Sequence, residues 1–312
     1  MASALSPLST SNGGLKVAFG EVAPVGGDAF LIEDGPYPIH GRLDGGELGY
    51  EVRSFVSYSI PPPSADRFIA LTFDDDGWVA AEVKGVRERV GIMDVTAFTK
   101  VMVSGTGAYA LLDRLTANRM PQKVGSITLT HMLNRAGRIE LETTIVRLAD
   151  DQFYLVCAAF FEQRLLDHLA QQRDAEEVTI TALSSDWTAL SLNGPRPRDV
   201  LADCTSVDIS NASFRWLSAQ QITVAGHDIW GFRMSYVGEL GWEFHMPRST
   251  TLDVYSALWA AGGAHGIIDY GSFAMNVMRM EKGFKGASEL TNEVTLAEAD
   301  VCVLYTSPSP RD

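Results

Sequence analysis

Residues 229–244 constrain the fold more than any other stretch of the chain. From Ile229 to Tyr236 the side chains alternate so that Trp230, Phe232, Met234 and Tyr236 share one face of a strand, with Arg233 and Ser235 on the other. Gly238 and Gly241 then bracket a turn, which suits tight backbone geometry and close approach to a ligand. Trp242-Glu-Phe244 resumes the alternation, with Glu243 and His245 opposite Trp242 and Phe244. On pattern alone that polar side reads as the outward face of a hairpin.

The remaining elements follow the same two periodicities in irregular order. Residues 83–90 read as a short helix, 101–103 as a strand and 108–115 as a helix. Two strands, 138–148 and 153–159, flank a turn at 149–152, and residues 161–171 space their apolar side chains for a helix. Later helices are expected over 252–261 and 273–283. Upstream, short apolar runs at 15–19, 30–32 and 68–73 lie among Gly, Pro and Asp clusters that suggest strands and turns. No β-α-β rhythm emerges and no Gly-x-Gly-x-x-Gly follows a strand, so the expected class is α+β without a dinucleotide site.

Composition narrows the function by exclusion. A formal charge of −14 is wrong for a nucleic-acid surface, which needs clustered Lys and Arg. The three cysteines are scattered and the six histidines dispersed, so neither a disulfide framework nor a metal site is expected, and a reducing compartment is the plain reading. No apolar run is long enough to span a bilayer, and the start of the chain carries no secretory signature, so a cytoplasmic location and no membrane partner are expected.

On the 138–148 strand Glu140, Glu142, Thr144, Val146 and Leu148 share a face that becomes apolar two pleats beyond Glu142. A glutamate at such a boundary tends to be paired or functional, because desolvating it alone is costly. Spacing by itself nevertheless favours a hydrated strand-edge glutamate. Arg279 beside Glu281 reads, by itself, as a solvated pair, and His131 as a structural histidine.

Four segments in order carry a resemblance: Val86-Arg-Glu-Arg-Val-Gly-Ile-Met-Asp-Val-Thr-Ala-Phe98, Met132-Leu-Asn-Arg-Ala-Gly-Arg-Ile-Glu-Leu-Glu142, Tyr236-Val-Gly-Glu-Leu-Gly-Trp-Glu-Phe244, and Ala274 to Lys282 with its Met278-Arg-Met-Glu-Lys282. Together they resemble the folate-binding aminomethyltransferase family, the T protein of glycine cleavage. The likeness is greatest to the carboxy-terminal folate modules of dimethylglycine and sarcosine dehydrogenases. It runs from about Gly85 to about Asp300 and implies three divisions: 1–83 an extension of unknown role, 84–300 the folate module, and 301–312 an irregular tail.

The resemblance implies tetrahydrofolate as the one-carbon acceptor, with no metal. In that family the acid at the Glu142 position sits beside N5 of tetrahydrofolate; the classical T proteins carry Asp there, whereas the dimethylglycine dehydrogenases carry Glu. The acid at Glu243 holds the pterin ring, Arg279 turns inward to the same pocket and Tyr236 walls it. The implied reaction transfers an aminomethyl or methylene unit from a methylamine-type donor, or from a carrier or flavin subunit. Rival readings are a folate-dependent O- or S-demethylase and a non-catalytic folate-binding protein. Family members continue into a small β-barrel that closes a cloverleaf around folate. The last dozen residues show no core-forming pattern, so the expected fold is the cloverleaf without its C-terminal barrel.

Overall fold

The computed structural model describes residues 77–301, with the backbone of three strands upstream of them. Those strands, β1 (Val22–Pro24), β2 (Ala29–Ile32) and β3 (Ile39–Arg42), form an antiparallel sheet in the order β1-β2-β3. The runs expected at 15–19 and 68–73, and residues 302–312, lie outside the described residues.

The chain divides into two compact units. One holds residues 1–84 and 269–278; the other holds 85–268 and 279–312. In the first, Trp78 and Phe273 meet edge to face at 6.1 Å, and the Gly271 amide donates to Glu82 Oε2 at 2.9 Å. Helix α1 (Trp78–Glu88) begins earlier than the sequence suggests and stops before strand β4 (Val90–Asp94), which takes Val90 out of the expected helix.

The second unit is built on two sheets. Strands β5 (Thr99–Ser104), β6 (Ile127–Leu133), β7 (Ile139–Ala149), β8 (Gln152–Cys157) and β9 (Thr179–Ala182) form an antiparallel sheet in the order β6-β7-β8-β5-β9. Strands β10 (Trp187–Asn193), β11 (Ala219–Val224), β12 (His227–Phe232), β13 (Gly241–Pro247) and β14 (Ile267–Asp269) join β4 in a second, ordered β11-β12-β13-β10-β4-β14.

Alternation decides what each face buries. Leu141, Ile145, Phe153 and Leu155 pack under helices α2 (Ala108–Leu115) and α3 (Glu162–Gln172) through Leu112, Leu165 and Leu169. On the other sheet Leu190, Leu192, Trp242 and Phe244 pack against α4 (Pro197–Cys204) and α5 (Thr251–Gly262) through Leu201, Val254 and Leu258. The opposite faces meet each other: Ile127, Val146 and Tyr154 from one sheet contact Ala219 and Phe232 from the other. Fully burying an aliphatic or aromatic side chain is worth roughly 1.5–3 kcal/mol, so each interface orients its whole sheet. The polar side of β13 is therefore not outward as its pattern suggests. It faces a second sheet, and His245 there is almost wholly buried.

The strand expected to reach Tyr236 ends at Phe232, and residues 233–240 leave the sheet. Helix α6 (Ser272–Glu281) closes the described secondary structure. Beyond it, Leu290 and Ala299 cover Ile139 at the start of β7, and the Ile139 amide donates to Val294 O at 2.9 Å.

Candidate functional site

Glu142 sits on β7 directly across from His131 on β6. It shares its face with Val146, two pleats along, so it points toward the space between the sheets. Its carboxylate makes no hydrogen bond to any described residue, and burial pushes its pKa up to about 7. His131 Nε2 is buried with no hydrogen-bond partner among the described residues, and burial lowers that ring to about 4. The two approach to 3.7 Å, within ion-pair range yet beyond a hydrogen bond. Desolvation, which opposes both charges, outweighs an attraction that this spacing leaves weak, so both pKa values shift in the direction of the neutral form.

Glu243 occupies the facing sheet. Pairing sets Phe232, Glu243 and Ser191 in one cross-strand row and Trp230, His245 and Ala189 in the next. Glu243 Oε2 lies 3.4 Å from His245 Nε2, and His245 Nδ1 lies 3.1 Å from the Tyr154 hydroxyl on β8. Lys100, fully buried on β5, donates to the carbonyls of Thr96 and Phe98 at 2.8 and 2.7 Å. Burial lowers its pKa to about 8, against the opposing pull of Asp94, Glu162 and Glu243. Lys100 lies in the cross-strand row of Val156 and Thr144, adjacent to the row of Glu142 and His131, so Glu243 acts on the same inner face that carries Glu142.

Tyr236 and Arg279 come together around residues 284–289. The Tyr236 hydroxyl donates to Lys285 O at 2.6 Å and its ring stacks on Phe284 at 6.3 Å. Arg279 is buried, and its Nη1 donates to Phe284 O at 2.9 Å and to Glu289 Oε2 at 2.5 Å. Gly286 lets the guanidinium approach, since a Cβ there would lie 3.2 Å from Arg279 Cζ. Arg87 holds the turn on its other side, donating to Val237 O at 2.8 Å, Glu239 Oε1 at 2.7 Å and Glu281 Oε2 at 2.6 Å. The segment leaving this cluster then bonds to Ile139, three residues before Glu142.

Sequence reasoning thus selected two carboxylates that the fold sets on facing sheets, and a Tyr–Arg pair that the fold draws onto one segment. It missed Tyr154, Lys100 and the partnering role of His245, and it took His131 for a satisfied histidine. For His245 a signal existed, since it shares its strand face with Glu243. For Tyr154 and Lys100 none did, because their strands read as ordinary core. Among the described residues no group of His, Cys, Asp and Glu is arranged to hold a metal. A cavity of about 680 Å³ opens elsewhere, beside Ser104, Asp151 and Glu177, and none of the candidate residues lines it.

A family model described as the GCVT N-terminal domain matches residues 46–305. The chain belongs to that family. The GCVT match reaches upstream of the four motif segments and includes all of them. Mitochondrial dimethylglycine dehydrogenase of Mus musculus is 31% identical over 256 residues, spanning 80% of this chain and 29% of that protein. Mitochondrial sarcosine dehydrogenase of Mus musculus is 32% identical over 222 residues, spanning 66% of this chain and 24% of its own. The chain therefore spans less than a third of these curated relatives. Among solved structures, the glycine cleavage system aminomethyltransferase T from Bartonella henselae matches with a TM-score of 0.62 at 23% identity, covering 70% of this chain and 58% of that one. That likeness establishes the fold: an α+β GCVT domain of the aminomethyltransferase type. No helix among the described residues is long and apolar enough to cross a membrane.

Proposed function

We propose that this GCVT domain transfers a one-carbon unit, at the aminomethyl or methylene level, to tetrahydrofolate. The observation that carries the reading is Glu142: a desolvated carboxyl with no hydrogen bond to a described residue, on the inner face of its sheet beside an unpartnered His131 Nε2. Buried polar atoms without partners cost free energy, so they mark a place where a polar ligand restores what folding removed. A pterin, rich in N–H donors and ring acceptors, is suited to such a set, and the residues present fit it.

Tetrahydrofolate, when bound, supplies the nucleophilic N5 that receives the carbon. Glu142 would orient that nitrogen and accept its proton, a task for which a carboxyl titrating near 7 is well matched. As a carboxylate, before it takes that proton, it would also stabilise the positive charge that passes to the nitrogen as the bond to carbon forms. Glu243 would accept the amino and lactam N–H bonds of the pterin edge, as a carboxylate can for two parallel donors. Arg279 would act by holding residues 284–289, against which Tyr236 stacks as a wall of the pocket. The donor would be a methylamine-type iminium delivered by a flavin subunit or a carrier.

Calorimetric titration of tetrahydrofolate into the wild-type chain and the Glu142→Gln variant tests this. Binding by both, with donor turnover confined to the wild type, is expected. No binding by the wild type would overturn the reading, and a methyl rather than methylene product would reassign the reaction to demethylation.

A further inference from the structure

Tyr154 and His245, both buried, link to the half-buried Glu243 in a continuous chain across the space between the two sheets, and none of the roles assigned above explains the two buried members. We infer that Tyr154 and His245 are positioning residues: the Tyr154 hydroxyl fixes His245 as its Nε2–H tautomer, and that N–H holds one oxygen of Glu243 so that the other is aimed at a ligand's N–H edge. This inference rests on the folate reading above and deepens it by saying how the pterin-facing carboxylate is held.

The direction of the chain follows from which groups keep their protons. Burial, reinforced by the charge of Glu243, raises the Tyr154 hydroxyl far above its ordinary value, so it remains a donor. Burial lowers the fully enclosed His245 against the opposing pull of Glu243, with a smaller push from Lys100, so the ring favours its neutral form with one N–H. At 3.1 Å from a hydroxyl that donates, Nδ1 accepts. The proton is then on Nε2, 3.4 Å from Glu243 Oε2, where it can donate to the carboxylate. The opposite tautomer would set the lone pair of a buried nitrogen against the Glu243 carboxylate, a repulsive contact that leaves the nitrogen without a donor.

Packing removes the ring's other freedoms. Phe232 stacks on His245 at 4.3 Å with planes 29° apart, and Tyr154 meets it edge-on at 5.4 Å. Tyr154 is itself fixed edge-on against Phe232 at 5.8 Å and beside Trp187 at 5.9 Å. These contacts fix the plane of the ring, and turning it over would cost the bond between Nδ1 and the Tyr154 hydroxyl. Glu243 is thereby presented as an acceptor in one orientation, which selects a ligand edge that donates N–H groups over one that accepts them.

The test has two arms. In the free protein, ¹⁵N-histidine NMR at pH 7.5 reads the His245 tautomer directly; Nε2–H is expected in the wild type and a mixed population in Tyr154→Phe. In the second arm tetrahydrofolate is titrated into Tyr154→Phe, His245→Asn and His245→Gln, with a melting temperature for each. The Asn amide ends near the Nδ1 position and cannot reach Glu243, whereas the Gln amide reaches the Nε2 position. Affinity should fall about tenfold or more in His245→Asn and Tyr154→Phe and return to within about threefold of wild type in His245→Gln. A purely structural histidine would lower the melting temperature of both His245 variants without separating their affinities. An Nδ1–H tautomer in the wild type, or wild-type affinity in both Tyr154→Phe and His245→Asn, overturns the inference. If the wild type itself binds no tetrahydrofolate, the folate reading fails, and the tautomer alone decides this one. Should the His245 variants not fold, Tyr154→Phe and the wild-type tautomer carry the test.

Discussion

His131 Nε2 stands 3.7 Å from Glu142 Oε1 across the β6–β7 pair, and burial shifts both groups, one base and one acid, toward their neutral forms. A surface pair at this distance would be an ion pair of little consequence. Here partial burial changes the balance: the imidazole is held neutral and the carboxyl is brought to titrate near 7, so neither provides the other with a full ionic partner.

Replacing Glu142 by Gln should therefore separate binding from turnover. Its amide preserves shape and hydrogen-bonding capacity but accepts no proton, so tetrahydrofolate affinity should hold while kcat falls roughly 10²–10⁴-fold. In the wild type kcat/KM should rise with pH through about 7, the value to which burial lifts Glu142, and that limb should vanish in the variant. Rates measured from pH 5.5 to 8.5 decide both points.

The same substitution should alter stability in a pH-dependent way. Glu142 titrates near 7 in the folded chain against an ordinary 4.5, so its contribution is fully present below 4.5 and is lost as pH rises through 7. His131 works oppositely, with a folded value near 4 against 6.5, its contribution present above 6.5 and lost as pH falls through 4. Glu142→Gln removes the first liability alone. Relative to wild type it should gain up to about 3 kcal/mol between pH 4.5 and pH 8 in urea unfolding. A difference that does not change with pH would show that Glu142 is hydrated in the folded state.

Arg87→Met should loosen the turn at residues 236–241. Arg87 donates to the Val237 carbonyl and the Glu239 carboxylate in that turn and to Glu281 at the end of α6, and Met retains its stem without its donors. A loss of about 1–3 kcal/mol is expected, since Glu239 is left partly buried without its cation. Tetrahydrofolate should also bind more weakly, because Tyr236 begins that turn. Unfolding and titration of one preparation give both numbers.

Gly194 tests the turn between β10 and α4. Its φ of +136° is a conformation L side chains rarely adopt, and a Cβ would lie 2.6 Å from Arg89 O and 2.7 Å from Val86 O. Backbone cannot yield as a side chain can, so Gly194→Ala should cost about 2–4 kcal/mol. Gly137 also has positive φ, +74°, but nothing lies within 4 Å of its added Cβ, and Gly137→Ala should cost only about 1 kcal/mol. Equal losses at the two sites would count against the packing around residues 86–90 and 194.

Some of this architecture was legible locally. Helix α2 matches its expected bounds of 108–115, and β7 differs from the expected 138–148 by a single residue at each end, because an uninterrupted amphipathic period needs no tertiary help. Strand β10 was not anticipated: Thr188 to Asn193 is buried on both faces, and a run buried on both faces loses the alternation that betrays a strand. The strand ending at Phe232 was overextended, since Met234 and Tyr236 keep the apolar period while Tyr236 is drawn away by Phe284 and Lys285.

The site divides along the same line. Glu142, Glu243, Tyr236 and Arg279 were singled out by the resemblance that their motif segments carry; strand alternation and spacing alone favoured a hydrated glutamate, an outward face and a solvated pair. That the two carboxylates look inward at one another's sheets, that His131 Nε2 finds no hydrogen-bond partner among the described residues, and that Tyr154 reaches His245 came only with folding. Those relations depend on which face of each sheet the helices cover, and that choice belongs to long-range packing, where apolar area rather than local pattern sets the outcome.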